Sequence, residues 1–114
     1  MSEAACVVDS SVGVKWLVHE EGSDAALPLI AERELIVPDL FFAECVNVLW
    51  KKVQRGDLTT GYAAESVETL ACLVLQVTPV KILMTEMLQI AIALKHPAYD
   101  CAYLALARLH NTVL

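Results

Sequence analysis

The sequence lacks the patterns that mark several common classes of protein. Its four cysteines form no C-x-x-C pair, and no H-x-x-x-H or Cys/His spacing typical of a zinc site occurs. The three histidines, His19, His96 and His110, are isolated and are interpreted as solvated residues near element ends. No uncharged run approaches the roughly 20 apolar residues of a membrane-spanning helix, and no basic secretory segment begins the chain. We therefore expect a cytoplasmic protein with no membrane association.

Positive charge is scarce as well. Eight Lys and Arg residues stand against 14 Asp and Glu residues, which gives a formal net charge of −6. This balance argues against a protein that binds nucleic acid through a broad basic surface. It leaves open a nucleic-acid enzyme whose positive charge is supplied by bound metal ions. It also fits a chain that is covered by another protein.

Hydrophobic residues are abundant, at 57% of the 114 residues. A chain of this length forms one domain with a single core, so we predict one domain over residues 1–114. Part of the apolar surface is expected to lie between subunits. Because the cysteines occur in apolar runs, we interpret them as small buried hydrophobic residues. Trp16 and Trp50 occur in apolar helical runs and are interpreted as core or interface residues.

Short apolar runs alternate with helical patterns, which is typical of a parallel sheet with helices packed on it. Strands are predicted at residues 4–8, 35–37 and 76–78, with another beginning at 112. Helices are predicted at residues 12–18, 24–33, 40–55, 60–74, 85–95 and 98–110. Asp39 is expected to cap the longest of these helices. The predicted fold class is therefore α/β.

Three acidic residues, Asp9, Glu44 and Asp100, border or interrupt apolar segments. A carboxylate in mostly buried surroundings is costly unless it is paired, hydrogen-bonded or bound to metal. Few cations lie beside these acids in the sequence, so a shared divalent ion explains them together. Mg²⁺ and Mn²⁺ prefer carboxylate oxygens and bridge readily to phosphate. The pattern therefore indicates metal-dependent hydrolysis of phosphodiesters.

Each acid also has a purely structural interpretation. Asp9 could cap the helix that follows it, and Asp100 could be favoured by the helix dipole in the first turn of the last helix. Glu44 could lie on a solvated strip with Asn47 and Lys51. A phosphatase of the haloacid-dehalogenase type is disfavoured because the second acid of D-x-D-x-T is missing. A receiver domain is disfavoured because no acidic pair precedes the first strand's terminal aspartate.

Three segments carry a resemblance to a known family: VVDSSVGVKWLVHEE, VPDLFFAECVNVLWK and AYDCAYLALARL. In this order and spacing the chain resembles the PIN domain, specifically the VapC-type toxins of bacterial toxin–antitoxin pairs. The resemblance implies a flavodoxin-like α/β/α sandwich with a central, mostly parallel sheet. It also implies a Mg²⁺- or Mn²⁺-dependent endoribonuclease acting on tRNA or ribosomal RNA, a cognate VapB-type antitoxin and a homodimer.

The resemblance also assigns residues. Asp9, Glu44 and Asp100 match the family's acidic metal-binding and catalytic residues, and Ser11 and Asn47 match supporting polar residues. The family usually has a further acidic residue after a strand that follows the last helix, and the sequence reaches Leu114 without it. We therefore expect a chain incomplete at its C-terminal strand and helix. The alternative function is a catalytically silent PIN-like module that binds a protein partner.

Overall fold

A computed structural model of the chain describes residues 5–17 and 34–111. The predicted helix at 24–33 and the predicted strand from 112 lie outside the described residues. The strands within them are β1 (Ala5–Val7), β2 (Glu34–Pro38) and β3 (Gln76–Thr78). The helices are α1 (Ser10–Leu17), α2 (Leu40–Gln54), α3 (Thr60–Cys72), α4 (Met84–Leu94) and α5 (Cys101–Leu109). A 3₁₀ helix at Val80–Leu83 leads directly into α4.

The strands form one parallel sheet in the order β1-β2-β3. Cys6 pairs with Leu35 on one side of β2, and Val37 pairs with Val77 on the other. From Leu35 to Pro38 the central strand is buried, since it has a strand on either side and helices over it. A continuous apolar run is typical of a parallel strand in that position. All three carboxyl ends therefore lie at one edge of the sheet.

The helices pack in two groups. The first group is α1, α2 and α3, which pack on one another, with α2 also contacting β2. The second is α5 with α4, and α5 also packs on β1, β2 and the 3₁₀ helix. This layering confirms the predicted α/β/α sandwich around a parallel sheet. Within the described residues, no helix is both long and apolar enough to cross a membrane.

Gly13 allows α1 to lie very close to α2. A Cβ atom built on Gly13 would lie 2.5 Å from Cζ of Phe41 and 3.2 Å from Sγ of Cys45. Both of these α2 side chains are fully buried. Asp9 directly precedes α1 and Glu44 lies within α2, so the close approach of the two helices also sets the separation of these acids.

Three predicted helix boundaries are wrong by two or three residues. The α1 helix begins at Ser10 rather than Val12. The α3 helix ends at Cys72 rather than near Val74. The last helix begins at Cys101 rather than Ala98, because residues 98–100 form a turn. Within that turn the N–H groups of Cys101 and Ala102 donate to carbonyls three residues earlier, at 3.0 and 3.2 Å. This tighter hydrogen bonding is 3₁₀-like, so Asp100 precedes α5 instead of lying in its first turn.

Asp39 occupies the predicted N-cap position of α2, but the prediction that it caps this helix with its side chain is wrong. Its side chain makes no capping hydrogen bond. Instead, Oδ1 of Asp39 accepts a hydrogen bond from the backbone N–H of Val80 at 3.0 Å, and its own N–H donates to the carbonyl of Thr78 at 2.9 Å. Asp39 therefore ties the end of β2 to the chain that leaves β3.

The burial predictions for cysteine and tryptophan hold in part. Cys45 and Cys101 are buried and Cys6 is half-buried, but Cys72 is exposed. It occupies the last turn of α3, where the helix presents most of its side chains to solvent. Trp50 is 56% exposed, so it is not a core residue of this chain. An interface role for Trp50 stays a prediction.

Candidate active site

The three predicted acids line one open cleft of about 210 Å³. Asp9 lies between β1 and α1, Glu44 lies in the second turn of α2, and Asp100 directly precedes α5. The other residues that line this acidic cleft are Ser10, Ser11, His96 and Tyr103. The cleft lies beyond the carboxyl end of β1, where ligands bind in open α/β sheets. Residues that are distant in sequence thus meet at the edge predicted for them.

Asp9 caps a helix and faces the acidic cleft at the same time. Its Oδ1 accepts hydrogen bonds from the hydroxyl of Ser11 at 2.7 Å and from the N–H of Val12 at 3.2 Å. The N–H of Gly13 donates to the Asp9 carbonyl at 3.1 Å, which begins α1. Ser11 therefore contacts Asp9 in the way that a supporting residue should. Oδ2 of Asp9 accepts no hydrogen bond from the described part of the chain.

Glu44 belongs to the first helical group and is held by a residue of the second. It is half-buried, and the hydroxyl of Tyr103 in α5 donates a hydrogen bond to its Oε1. Tyr103 is not among the predicted site residues. A signal for it was its place three residues after Asp100, about one helical turn further on. Asn47, the other predicted supporting residue, is exposed on α2 and does not line the cleft.

Asp100 is more exposed than the sequence suggested. Half of its side chain is accessible to solvent (50%), so the expectation of a buried acid is wrong here. The α5 helix behind it is well buried, but Asp100 lies before the helix begins, where it reaches solvent. Nε2 of His96 lies 2.9 Å from its Oδ2. The predicted exposure of His96 is confirmed, whereas its pairing with an acid was not foreseen.

The position of His96 follows from the end of α4. Lys95 adopts the left-handed conformation, with φ of 54°, and the N–H of His96 donates to the carbonyl of Ala91 at 3.2 Å. This is the hydrogen bonding of a Schellman ending. Pro97 cannot continue the helix, so the chain turns and presents His96 beside Asp100.

Two groups next to the acids, Cys45 and Tyr103, have strongly raised pKa values. Burial raises the pKa of the Cys45 thiol to about 12, and the negative charges of Glu44 and Asp9 add to this shift. Burial also raises the pKa of Tyr103, and its hydrogen bond to Glu44 acts in the same direction. Both groups therefore stay neutral near pH 7, and the negative charge of the cleft resides on its carboxylates.

Alkaline pH is expected to destabilise the fold through Cys45. The unfolded thiol loses its proton near its ordinary pKa of 9.0, whereas the folded thiol keeps it until about 12. The stabilisation is thus complete below pH 9 and is lost as pH rises toward 12, by up to about 1.4 kcal/mol per pH unit. Urea denaturation at pH 8, 9 and 10 measures this slope. Cys45→Ala should flatten it, and an unchanged slope in that variant would contradict the assignment.

The donor chemistry of the cleft suits a hard divalent cation. Three carboxylates from separate parts of the chain line one space, and each has an oxygen that accepts no hydrogen bond within the described residues. Such oxygens are the preferred ligands of Mg²⁺ and Mn²⁺. In the same residues, no three His, Cys, Asp or Glu side chains lie close enough to hold one ion as they stand. Binding by all three acids therefore requires the carboxylates to move closer together.

Fold and cleft define an α/β/α protein with an acidic site at the carboxyl edge of a parallel sheet, an arrangement suited to metal-assisted chemistry on phosphate. The chain belongs to the PIN domain family, whose sequence profile matches residues 6–114. PIN domains are generally nucleases and usually use divalent metal ions, so this is a nuclease-type fold. A search of curated protein sequences finds no match to the chain.

Proposed function

We propose that this PIN domain is a VapC-type toxin, a Mg²⁺- or Mn²⁺-dependent endoribonuclease in which Asp9, Glu44 and Asp100 hold the metal. The supporting observation is that these carboxylates reach one cleft from three separate parts of the chain. Helix capping explains Asp9 alone, and pairing with His96 explains Asp100 alone. Neither explains why all three acids share one space.

The residues of the cleft have distinct roles in this proposal. A divalent ion held in the cleft would supply positive charge to the phosphate and would activate water, so no protein nucleophile would be needed. The carboxylates hold the ion, and Ser11 restrains Asp9 through its 2.7 Å hydrogen bond. Because the chain has a net charge of −6, RNA binding at the cleft depends on the bound ion more than on a basic surface.

We also propose a homodimer and a cognate VapB-type antitoxin, with tRNA or ribosomal RNA as the substrate. Exposed apolar surface supports the two proposed protein partners. Val46 and Trp50 of α2 and Val67 of α3 are exposed along a groove between these helices. On α4, Leu88 and Ile92 are exposed as well. Contiguous apolar surface of this kind commonly marks a protein interface.

One observation favours a second candidate, a catalytically silent PIN-like module that only binds a protein partner. Each carboxylate of the cleft already accepts a hydrogen bond from another side chain, and the described residues contain no preassembled metal-holding group. Such a module would use the exposed apolar surfaces and would leave RNA intact. Cleavage of RNA separates the two candidates.

The test is incubation of the purified chain with a pool of tRNA and ribosomal RNA, with Mn²⁺ or with chelator. We expect discrete fragments with Mn²⁺, none with chelator, and fragments again when excess Mn²⁺ is restored. A contaminating metal-independent ribonuclease would continue to act in chelator, which provides the control. Intact RNA after incubation with a folded chain would favour the silent module.

A further inference from the structure

We infer that Tyr103 is a positioning residue of this site, which fixes the carboxylate of Glu44 for metal binding. The inference rests on the proposed function and deepens it. Tyr103 does not act on the substrate itself in this account. It acts through Glu44, by restricting the orientations that this side chain can adopt.

Tyr103 is a buried residue whose hydroxyl is used in a hydrogen bond to Glu44. The residue is only 5% exposed, yet it lines the acidic cleft and donates a hydrogen bond to Oε1 of Glu44. A buried tyrosine hydroxyl needs a partner, and a carboxylate is a strong one because the hydrogen bond is charge-assisted. The bond engages one oxygen of Glu44 and leaves Oε2 without a protein partner in the described residues.

This hydrogen bond also links the two groups of helices across the cleft. Tyr103 belongs to α5, which packs on α4, β1 and β2, whereas Glu44 belongs to α2 in the other helical group. Asp100 precedes the same α5 helix, about one turn before Tyr103. The helix that presents one acid therefore also holds another acid from the opposite group, so Tyr103 sets the separation of Glu44 and Asp100.

The test compares Mn²⁺ affinity, measured by electron paramagnetic resonance, in the wild-type chain, Tyr103→Phe and Tyr99→Phe. Tyr103→Phe keeps the buried ring and removes only the hydroxyl. We expect it to weaken Mn²⁺ binding by about 10–100-fold, the usual effect of losing an outer-shell partner of a metal ligand. Tyr99→Phe is the matched control, because Tyr99 is exposed and does not line the cleft. It should bind Mn²⁺ like the wild type.

The Tyr103→Phe variant can also be tested in a Glu44→Gln background, which separates a positioning role from a purely structural one. If Tyr103 acts through Glu44, adding Tyr103→Phe to Glu44→Gln should cost no further Mn²⁺ affinity. Equal losses in both backgrounds, or wild-type affinity in Tyr103→Phe, would overturn the positioning role while leaving the proposed function intact. A wild-type chain that binds no Mn²⁺ would overturn both.

A second measurement needs no variant and applies if Tyr103→Phe does not fold. The buried hydroxyl proton of Tyr103, protected by Glu44, should give a downfield resonance in the proton NMR spectrum of the wild-type chain. Titration with diamagnetic Mg²⁺ should shift this resonance, because the ion engages the carboxylate that accepts the proton. A resonance that stays fixed as Mg²⁺ saturates the chain would contradict the inference.

Discussion

Asp9→Asn and Asp100→Asn should each reduce metal-dependent RNA cleavage by about 100-fold or more. Loss of an outer-shell partner of a metal ligand costs about 10–100-fold, and loss of a ligand itself should cost at least as much. Asparagine preserves the size of the side chain but removes the charge that holds a hard cation. The fold should survive both changes. Asn is as good a helix cap as Asp, and the half-exposed ion pair of Asp100 with His96 contributes little stability.

The matched control for these variants is Asp57→Asn. Asp57 is exposed, pairs with Arg55 at 3.4 Å and lies outside the acidic cleft. The control removes the same charge from the chain, so it should cleave RNA at the wild-type rate. Full activity in Asp9→Asn and Asp100→Asn would refute the metal-site assignment. Equal losses in all three variants would point to overall charge instead.

Gly13→Ala should destabilise the fold by about 1–3 kcal/mol, the usual cost of overpacking a core. In a solvent-exposed helix the same change stabilises the fold by roughly 0.5–1 kcal/mol. Whether Gly13→Ala stabilises or destabilises the protein therefore shows whether α1 and α2 are in close contact at Gly13. Here the new methyl group would meet ring atoms of Phe41 at 2.5 and 2.7 Å. Phe41 is fully buried and cannot move without displacing its neighbours. A fall in melting temperature of about 4 °C per kcal/mol is expected.

Gly61→Ala is the control for this variant. Gly61 lies near the start of α3, and a Cβ there meets nothing within 4 Å. Thermal unfolding should therefore show an unchanged or slightly higher melting temperature. Gly13→Ala should also lose RNA cleavage at temperatures where it remains folded, because the α1–α2 contact sets the spacing of Asp9 and Glu44. Wild-type stability in Gly13→Ala would mean that the two helices are not so closely packed.

Much of the fold could be predicted from local pattern. The strand at Gln76–Thr78 has the predicted bounds, and the apolar run of β2 is typical of a central parallel strand. The predictions fail where a tertiary contact decides the local structure. Asp39 has a capping residue's chemistry, but its Oδ1 accepts a hydrogen bond from the backbone N–H of Val80, 41 positions away, instead. No periodicity in the sequence contains that information.

The candidate site could likewise be predicted only in part from the sequence. The convergence of Asp9, Glu44 and Asp100 could be predicted because parallel strands end at one edge and the acids lie near that edge. Tyr103 is missing from the predicted site residues because a tyrosine in an apolar helical run is typical of a core residue. Its role depends on a contact across 59 positions. The pairing of His96 depends on the turn after α4.

The most direct test of the central claim is a Mn²⁺ titration of the wild-type chain and of Asp9→Asn, followed by electron paramagnetic resonance. We expect saturable binding of Mn²⁺ by the wild-type chain, competition by Mg²⁺, and loss of that binding in Asp9→Asn. Asp57→Asn should bind like the wild type. Equal binding by the wild type and Asp9→Asn, or no binding by a folded wild-type chain, would contradict a metal site built from these carboxylates.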